Sequence, residues 1–169
     1  MDDKSIYRFT VAKLNGEPIS LAGYRNKVLL IVNIASQCGF TPQMQELADL
    51  KKEFEDQDLE ILTFPSNDFG GQEPLEGDAL ASFCTNYGNN NLTSFAKIRV
   101  RGPYAEPVYK FLADKNENGN INSKPRWNFH KYLIDRNGHV ADFFYPFTKP
   151  SSAKIRKRIQ RLLAAEPPK

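Results

Sequence analysis

Two nearly continuous apolar runs, residues 27–34 and 59–64, constrain the fold of this chain more than any other feature. Such runs are typical of parallel strands that are buried on both faces. Between them, Thr41 and Pro42 form a helix-start signal, with Thr41 as the N-cap, and an apolar stripe at helical spacing continues to about residue 55. A strand, a helix and a strand in this order predict a right-handed crossover that joins two parallel strands.

The second half of the chain predicts two more helices and a hairpin. The helices are expected at residues 78–87, with Gly88 as the C′ residue, and at residues 104–114. Residues 129–135 and 139–145 flank the pair Asn137-Gly138, which is the strongest short signal for an antiparallel hairpin. The sheet should therefore be mixed, with its parallel strands next to an antiparallel pair.

The whole pattern predicts an α/β fold in which helices flank a mixed central sheet. Residues 9–14, followed by Asn15-Gly16, add a small N-terminal hairpin. Because no repeat or linker divides the 169 residues, we expect one domain over residues 1–169. This arrangement is thioredoxin-like. A composition of 40% hydrophobic and 25% charged residues, with two cysteines, excludes a disordered chain and a disulfide-dense secreted scaffold.

The ends of the chain and its apolar runs predict a cytoplasmic location. The first residues are acidic and lack the apolar segment of a signal peptide. The longest apolar run is too short to cross a bilayer. In a reducing compartment, two cysteines are more often catalytic or metal-binding than structural.

The positive charge of the chain is concentrated in one predicted helix near the C-terminus. The net charge of +3 includes five cations between residues 154 and 161, without which 18 basic residues face 20 acidic ones. Ile155, Ile159 and Leu162 recur at helical spacing, and Ser151 or Ser152 could cap the helix. We interpret the basic face as a solvated surface and expect no nucleic-acid partner, since no aromatic residue separates the charges.

Cys38 is the first candidate for chemistry, because it follows the first buried strand and precedes a helix start. Ligands of open α/β sheets bind beyond the carboxyl ends of the strands. A thiol at a helix N-terminus meets backbone N–H groups that favour the thiolate, which is the nucleophilic form. The alternative is an inert, buried cysteine, and the position alone does not exclude it.

Two other segments should reach the same edge of the sheet. The loop after the second strand carries Gln72, and Trp127 and Asn128 precede the first strand of the hairpin. If that strand runs antiparallel, its start lies beside Cys38. The two amides and the indole N–H are neutral donors that could stabilise a thiolate or a departing alkoxide. Each also has an ordinary structural role, as a core tryptophan or as a loop-fixing amide.

Three motifs then identify a resemblance. The segments 33–39 (NIASQCG), 64–74 (FPSNDFGGQEP) and 127–129 (WNF) resemble the signatures of the glutathione peroxidase family, and the similarity extends over about residues 7–163. The resemblance implies a thioredoxin-like fold and reduction of hydroperoxides without a cofactor or metal. It implies that Cys38 is the peroxidatic residue, where some relatives carry selenocysteine. Gln72, Trp127 and Asn128 would complete the catalytic tetrad.

The segment around Cys84 resembles the non-selenium branch of the family, whose members generally prefer thioredoxin to glutathione. The resemblance implies that Cys84 is the resolving cysteine. Ser66 stands where the loop often holds another cysteine, and Asp68 replaces the usual glutamine. Residues 86–95, which include three successive asparagines at 89–91, depart from the family pattern. The short connection before Trp127 is similar to that of monomeric relatives, so we expect a monomer.

The resulting hypothesis is a thioredoxin-dependent thiol peroxidase that forms a sulfenic acid on Cys38 and then a disulfide with Cys84. The alternatives are a glutathione-dependent peroxidase without an internal disulfide and a sensor that passes oxidation to a partner protein. Lipid hydroperoxides are possible substrates, and the basic helix could contact an anionic surface. A Cys–His hydrolase using His130 has little support, because nothing else in the sequence suggests acyl transfer. A metal site has less, since the two cysteines and two histidines show no ligand spacing.

Overall fold

The described residues form a two-stranded and a five-stranded sheet in the computed structural model, which describes residues 2–88 and 92–165. The strands are β1 (Thr10–Ala12), β2 (Pro18–Ser20), β3 (Val28–Ile34), β4 (Leu59–Pro65), β5 (Thr93–Ser94), β6 (Lys131–Ile134) and β7 (Val140–Phe144). The antiparallel pair of β1 and β2 confirms the small N-terminal hairpin. The large sheet has the order β5-β4-β3-β6-β7.

The strand directions confirm the predicted mixed sheet. β3 and β4 are parallel, β6 is antiparallel to β3, and β7 is antiparallel to β6. All seven residues of β3 are buried, as expected for a central strand covered on both faces. Gly138 closes the β6–β7 hairpin at φ +82°, a left-handed conformation that glycine adopts without strain.

Helices cover both faces of the large sheet. They are α1 (Gln43–Glu53), α2 (Gly77–Gly88), α3 (Pro107–Ala113), α4 (Lys115–Asn118) and α5 (Ala153–Ala164), with 3₁₀ turns at Ile6–Arg8 and Leu21–Tyr24. Because side chains alternate along a strand, Leu30 and Val32 of β3 pack in one apolar cluster with α1, α2 and α5. Leu29 and Ile31 pack on the other side with α3 and the N-terminal segment.

Three helix boundaries differ from the predictions. Thr41 does not cap α1, because its hydroxyl accepts from Cys38 N at 3.0 Å and donates to Ala35 O at 2.9 Å, and the helix begins at Gln43. The helix predicted at 104–114 begins only at Pro107, whose fixed φ suits a first helical position. Gly88 is the last residue of α2 rather than its C′ residue, and residues 89–91 lie outside the described residues.

The basic helix α5 confirms the amphipathic prediction. Ile155 and Ile159 are buried, and of the two candidate caps Ser152 is the one that accepts from Ile155 N. Two of its cations are paired: Arg156 contacts Glu53 at 3.0 Å, and Arg158 contacts Asp142 at 3.4 Å. This pairing favours the interpretation of a solvated helix face. In the part of the chain that is described, no helix has the length and apolar character needed to span a bilayer.

We expect Ser152→Ala to lower the free energy of unfolding by about 1 kcal/mol, because the first turn of α5 loses its cap. Ser151→Ala is the matched control, since Ser151 makes only an exposed hydrogen bond to Glu46 and should cost less than about 0.5 kcal/mol. Urea denaturation of the two variants measures the difference. Equal losses would contradict the assigned cap.

Candidate active site

Cys38 lies in a tight turn between the end of β3 and the start of α1. Its side chain is 9% exposed, and the backbone N–H of Phe40 points to Sγ at 3.4 Å. The Thr41 hydroxyl fixes the turn from inside, through its hydrogen bonds to Cys38 N and Ala35 O. A backbone N–H directed at sulfur supports negative charge there, so the turn suits a reactive thiol.

The loop that follows β4 is joined directly to the Cys38 turn. Gln37 N donates to Gln72 O at 2.9 Å, which places Gln72 beside the residue that precedes Cys38. The Gln72 side chain points to the third segment, where its Oε1 accepts from Asn128 Nδ2 at 3.0 Å. Gln72 therefore links the two loops that the sequence predicted to converge.

The Trp127–Phe129 segment is held by Asn33, the second-last residue of β3. Asn33 O accepts from Phe129 N at 2.6 Å, and Asn33 Nδ2 donates to Trp127 O at 3.1 Å. Phe129 has φ +70°, which is rare for a bulky residue. The buried Asn128 precedes it directly. Two hydrogen bonds to one strand residue thus fix a strained turn next to the Cys38 edge.

The indole ring of Trp127 packs between the loop after β4 and the apolar core. It packs at 5.5 Å from the Phe69 ring and borders the apolar cluster that contains Cys38. Gly70 faces this ring so closely that a Cβ would lie 3.0 Å from Cη2 of Trp127, and its φ is +67°. The close approach explains why glycine stands at this position.

The structure brings the three predicted segments to one edge of the sheet. Gln72 and Asn128 are in direct contact, and the Cys38 turn is hydrogen-bonded to the Gln72 loop through Gln37. Trp127 packs against the cluster to which Cys38 belongs. The catalytic roles of these four residues stay predictions, while their convergence follows from the strand directions.

Cys84 has a different environment. It lies in α2, is 3% exposed, and belongs to the same apolar cluster as Cys38. Both cysteines are free thiols. Burial raises the pKa of Cys84 to about 11, against a smaller opposing effect of the Ser94 hydroxyl. At neutral pH this cysteine is almost entirely a protonated, packed thiol, so little of its nucleophilic thiolate forms while α2 stays folded.

Two buried charged residues near the site were missed by the sequence interpretation. Glu73, next to Gln72, is fully buried and accepts from Ser36 Oγ at 2.6 Å, and burial raises the pKa of its carboxyl. Lys131 is also fully buried and donates to the carbonyls of Phe129 and Pro146. Glu73 lies within the motif at residues 64–74, and Lys131 follows the motif at residues 127–129. Their place in or near these motifs was the only sign in the sequence that they belong to the site.

His130 is not directed at Cys38. Its Nε2 contacts Ser123 Oγ at 3.1 Å, and its ring packs on Tyr132, which belongs to the opposite apolar cluster. Burial lowers the pKa of His130 to about 4, so the ring is neutral at pH 7. These contacts indicate a structural role. Within residues 2–88 and 92–165, no three potential ligands cluster in a way that could hold a metal ion.

A mixed sheet with helices on both faces and β6 antiparallel to the parallel pair of β3 and β4 defines a thioredoxin-like fold. The thioredoxin family thiol:disulfide interchange protein of Chlorobium tepidum shares this fold, with a TM-score of 0.64 at 14% identity over 92% of this chain and 93% of that one. The crystal structure of T. cruzi GPX1 is more similar in sequence, with 31% identity, a TM-score of 0.73, and coverage of 95% of this chain and 97% of the other.

Sequence comparisons give the family. A model of the glutathione peroxidase family matches residues 6–113. The "Glutathione peroxidase" of Lactococcus lactis is 43% identical over 94% of this chain and 99% of its own length. The "Glutathione peroxidase homolog BsaA" of Staphylococcus epidermidis is 46% identical over 95% and 99%, respectively. The chain therefore belongs to the glutathione peroxidase family, and it is a peroxidase, which confirms the resemblance found in the three motifs.

We expect Gly70→Ala to displace the Trp127 ring, because the added Cβ would meet Cη2 of Trp127 at 3.0 Å. Gly71→Ala is the matched control: its φ is +62°, but its Cβ would meet only Asn67 Oδ1 at 3.9 Å. Both variants should lose about 1 kcal/mol through left-handed strain. Only Gly70→Ala should change the emission of Trp127, the single tryptophan of the chain. Identical emission spectra of the two variants would contradict the assigned packing.

Proposed function

We propose that the protein reduces hydrogen peroxide and organic hydroperoxides through Cys38, that Cys84 resolves the oxidised Cys38, and that a thioredoxin-like dithiol regenerates the enzyme. The observation that carries this proposal is the Cys38 turn, in which a backbone N–H reaches Sγ at 3.4 Å and which is hydrogen-bonded through Gln37 to Gln72, whose side chain in turn contacts Asn128. Membership of the glutathione peroxidase family supports the same reaction.

In the first step, the Cys38 thiolate attacks one oxygen of the hydroperoxide. An S–O bond forms, the O–O bond breaks, and Cys38 becomes a sulfenic acid. The departing alkoxide or hydroxide takes a proton and leaves as alcohol or water. Neutral donors near the sulfur, in the amides of Gln72 and Asn128 and the indole of Trp127, would stabilise the negative charge as it moves from sulfur to oxygen.

In the second step, the Cys84 thiol displaces the hydroxyl group of the sulfenic acid, giving a disulfide and water. This step requires α2 to open. A thiol with a pKa of about 11 is ionised in only about one molecule in 10,000 at pH 7. A disulfide also needs Cα atoms within about 7 Å of each other. Unwinding of α2 would hydrate Cys84, lower its pKa and let it approach Cys38.

The burial of Cys84 also favours a second candidate. If α2 opens slowly, glutathione can react with the Cys38 sulfenic acid first and form a mixed disulfide. The protein would then be a glutathione-dependent peroxidase without an internal disulfide. A peroxide sensor would differ only in passing the oxidation of Cys38 to a partner protein.

The proposed function also includes a class of hydroperoxide substrate and a cellular location. A relative from Solanum lycopersicum, 43% identical over 95% of this chain and 94% of its own length, carries the name "Probable phospholipid hydroperoxide glutathione peroxidase". We therefore include lipid hydroperoxides among the substrates. We infer a cytoplasmic location, because a cycle of two free thiols depends on a continuous supply of reductant.

The experiment compares the wild type with Cys38→Ser and Cys84→Ser in NADPH-coupled assays, once with thioredoxin and once with glutathione. Cys38→Ser should abolish turnover with both reductants. Cys84→Ser should lower thioredoxin-dependent turnover at least about tenfold, because thioredoxin reduces the internal disulfide, which this variant cannot form. The Cys84→Ser variant should still reduce one equivalent of peroxide, because Cys38 is intact.

Mass spectrometry after one equivalent of peroxide separates the candidates. The two-cysteine cycle predicts a peptide that links Cys38 to Cys84. Undiminished turnover of Cys84→Ser with glutathione, together with a stable sulfenic acid on Cys38, would establish the second candidate instead. Full activity of Cys38→Ser would contradict both.

A further inference from the structure

We propose that Lys131 is a positioning residue for the peroxide site, because its side-chain amino group holds the Phe129 carbonyl and thereby fixes the turn that carries Trp127 and Asn128. This inference rests on the proposed function, in which that turn faces Cys38. Lys131 does not act on the substrate itself. It acts on the backbone that presents two members of the predicted tetrad.

Lys131 is fully buried in the first position of β6. Its Nζ donates to Phe129 O at 2.7 Å and to Pro146 O at 3.2 Å. Burial lowers its pKa to about 7, while Glu46 acts in the opposite direction. A buried amino group is unfavourable unless it is well hydrogen-bonded, so an apolar residue would be the simpler choice for packing alone.

The next residue of β6 on the same face shows which type of side chain suits packing alone. Leu133, two residues later, points to the same face as Lys131 and is an ordinary member of the apolar cluster. Pro146 O already has another donor, Gln43 Nε2 at 2.8 Å. The contact to Phe129 is therefore the particular contribution of Lys131.

Phe129 needs this support because of its backbone conformation. Its φ of +70° is strained for a residue with a bulky side chain. Phe129 N is held by Asn33 O at 2.6 Å, and Phe129 O is held by Lys131. Because both its N–H and its carbonyl are hydrogen-bonded, Phe129 keeps the positive φ, which would otherwise relax to a negative value.

Relaxation of Phe129 would displace the site directly. Asn128 immediately precedes Phe129, and its side chain reaches Gln72 at 3.0 Å. Trp127 is tied to the same turn through its carbonyl, which accepts from Asn33. A change in φ at Phe129 would rotate the adjacent peptide group and move both side chains relative to Cys38. Misplacement of catalytic groups by a fraction of their contact distance is enough to slow a reaction.

The test compares Lys131→Met, which keeps the length and apolar stem but removes the donors, with Leu133→Met on the same strand face. Three properties are measured: the melting temperature, acrylamide quenching of Trp127 in the folded state, and the rate constant for oxidation of Cys38 by hydrogen peroxide. For Lys131→Met we expect altered quenching of Trp127 and an oxidation rate about tenfold lower. Leu133→Met should show the same quenching of Trp127 and the same oxidation rate of Cys38 as the wild type.

A purely structural role of Lys131 would change the melting temperature and leave the quenching and the oxidation rate of the folded protein at wild-type values, and this result would overturn the proposal. If Lys131→Met does not fold, Lys131→Gln, which keeps an N–H donor on a shorter stem, is compared with Leu133→Met on the same two readouts. A wild type that does not reduce peroxide would refute the proposed function, while the quenching comparison would still test Lys131.

Discussion

The hydrogen bonds between Asn33 and the Trp127–Phe129 turn are the constraint on which the candidate active site depends. β3 is buried along its whole length and paired on both sides, as the central strand of the sheet. Through Asn33, this strand holds the turn at Trp127 O and Phe129 N. The same strand ends just before the Cys38 turn. One rigid element therefore sets the position of the thiol and of the groups that would face it.

The two cysteines differ in environment although they share one apolar cluster. Cys38 lies at the rim, in a turn with an N–H directed at its sulfur. Cys84 lies inside α2, where burial raises its pKa to about 11. The first arrangement suits a thiol that reacts with an incoming substrate. The second keeps the other thiol largely protonated while α2 stays folded, so the proposed resolving step depends on local opening of α2.

Local sequence patterns were sufficient to predict the mixed sheet and the convergence of the three site segments at one edge of it. Apolar runs and the Asn137-Gly138 pair predicted β3, β4 and the hairpin, and the strand directions placed Gln72 and Asn128 at one edge. Thr41, Phe129 and Lys131 were not predictable in the same way. Thr41 uses its hydroxyl inside a turn, Phe129 is a bulky residue at positive φ, and Lys131 is a buried lysine. Each placement opposes the local preference of its residue type, so it depends on tertiary contacts. The assignment of the tetrad came from the family resemblance.

The central claim is that peroxide reacts at Cys38 in direct proximity to Trp127. Because Trp127 is the single tryptophan, stopped-flow emission after mixing with hydrogen peroxide reports on this site alone. The account predicts an emission change in the wild type whose rate rises linearly with peroxide concentration, and its absence in Cys38→Ser. The same change in Cys38→Ser, or none in a wild type whose Cys38 has become oxidised, would contradict it.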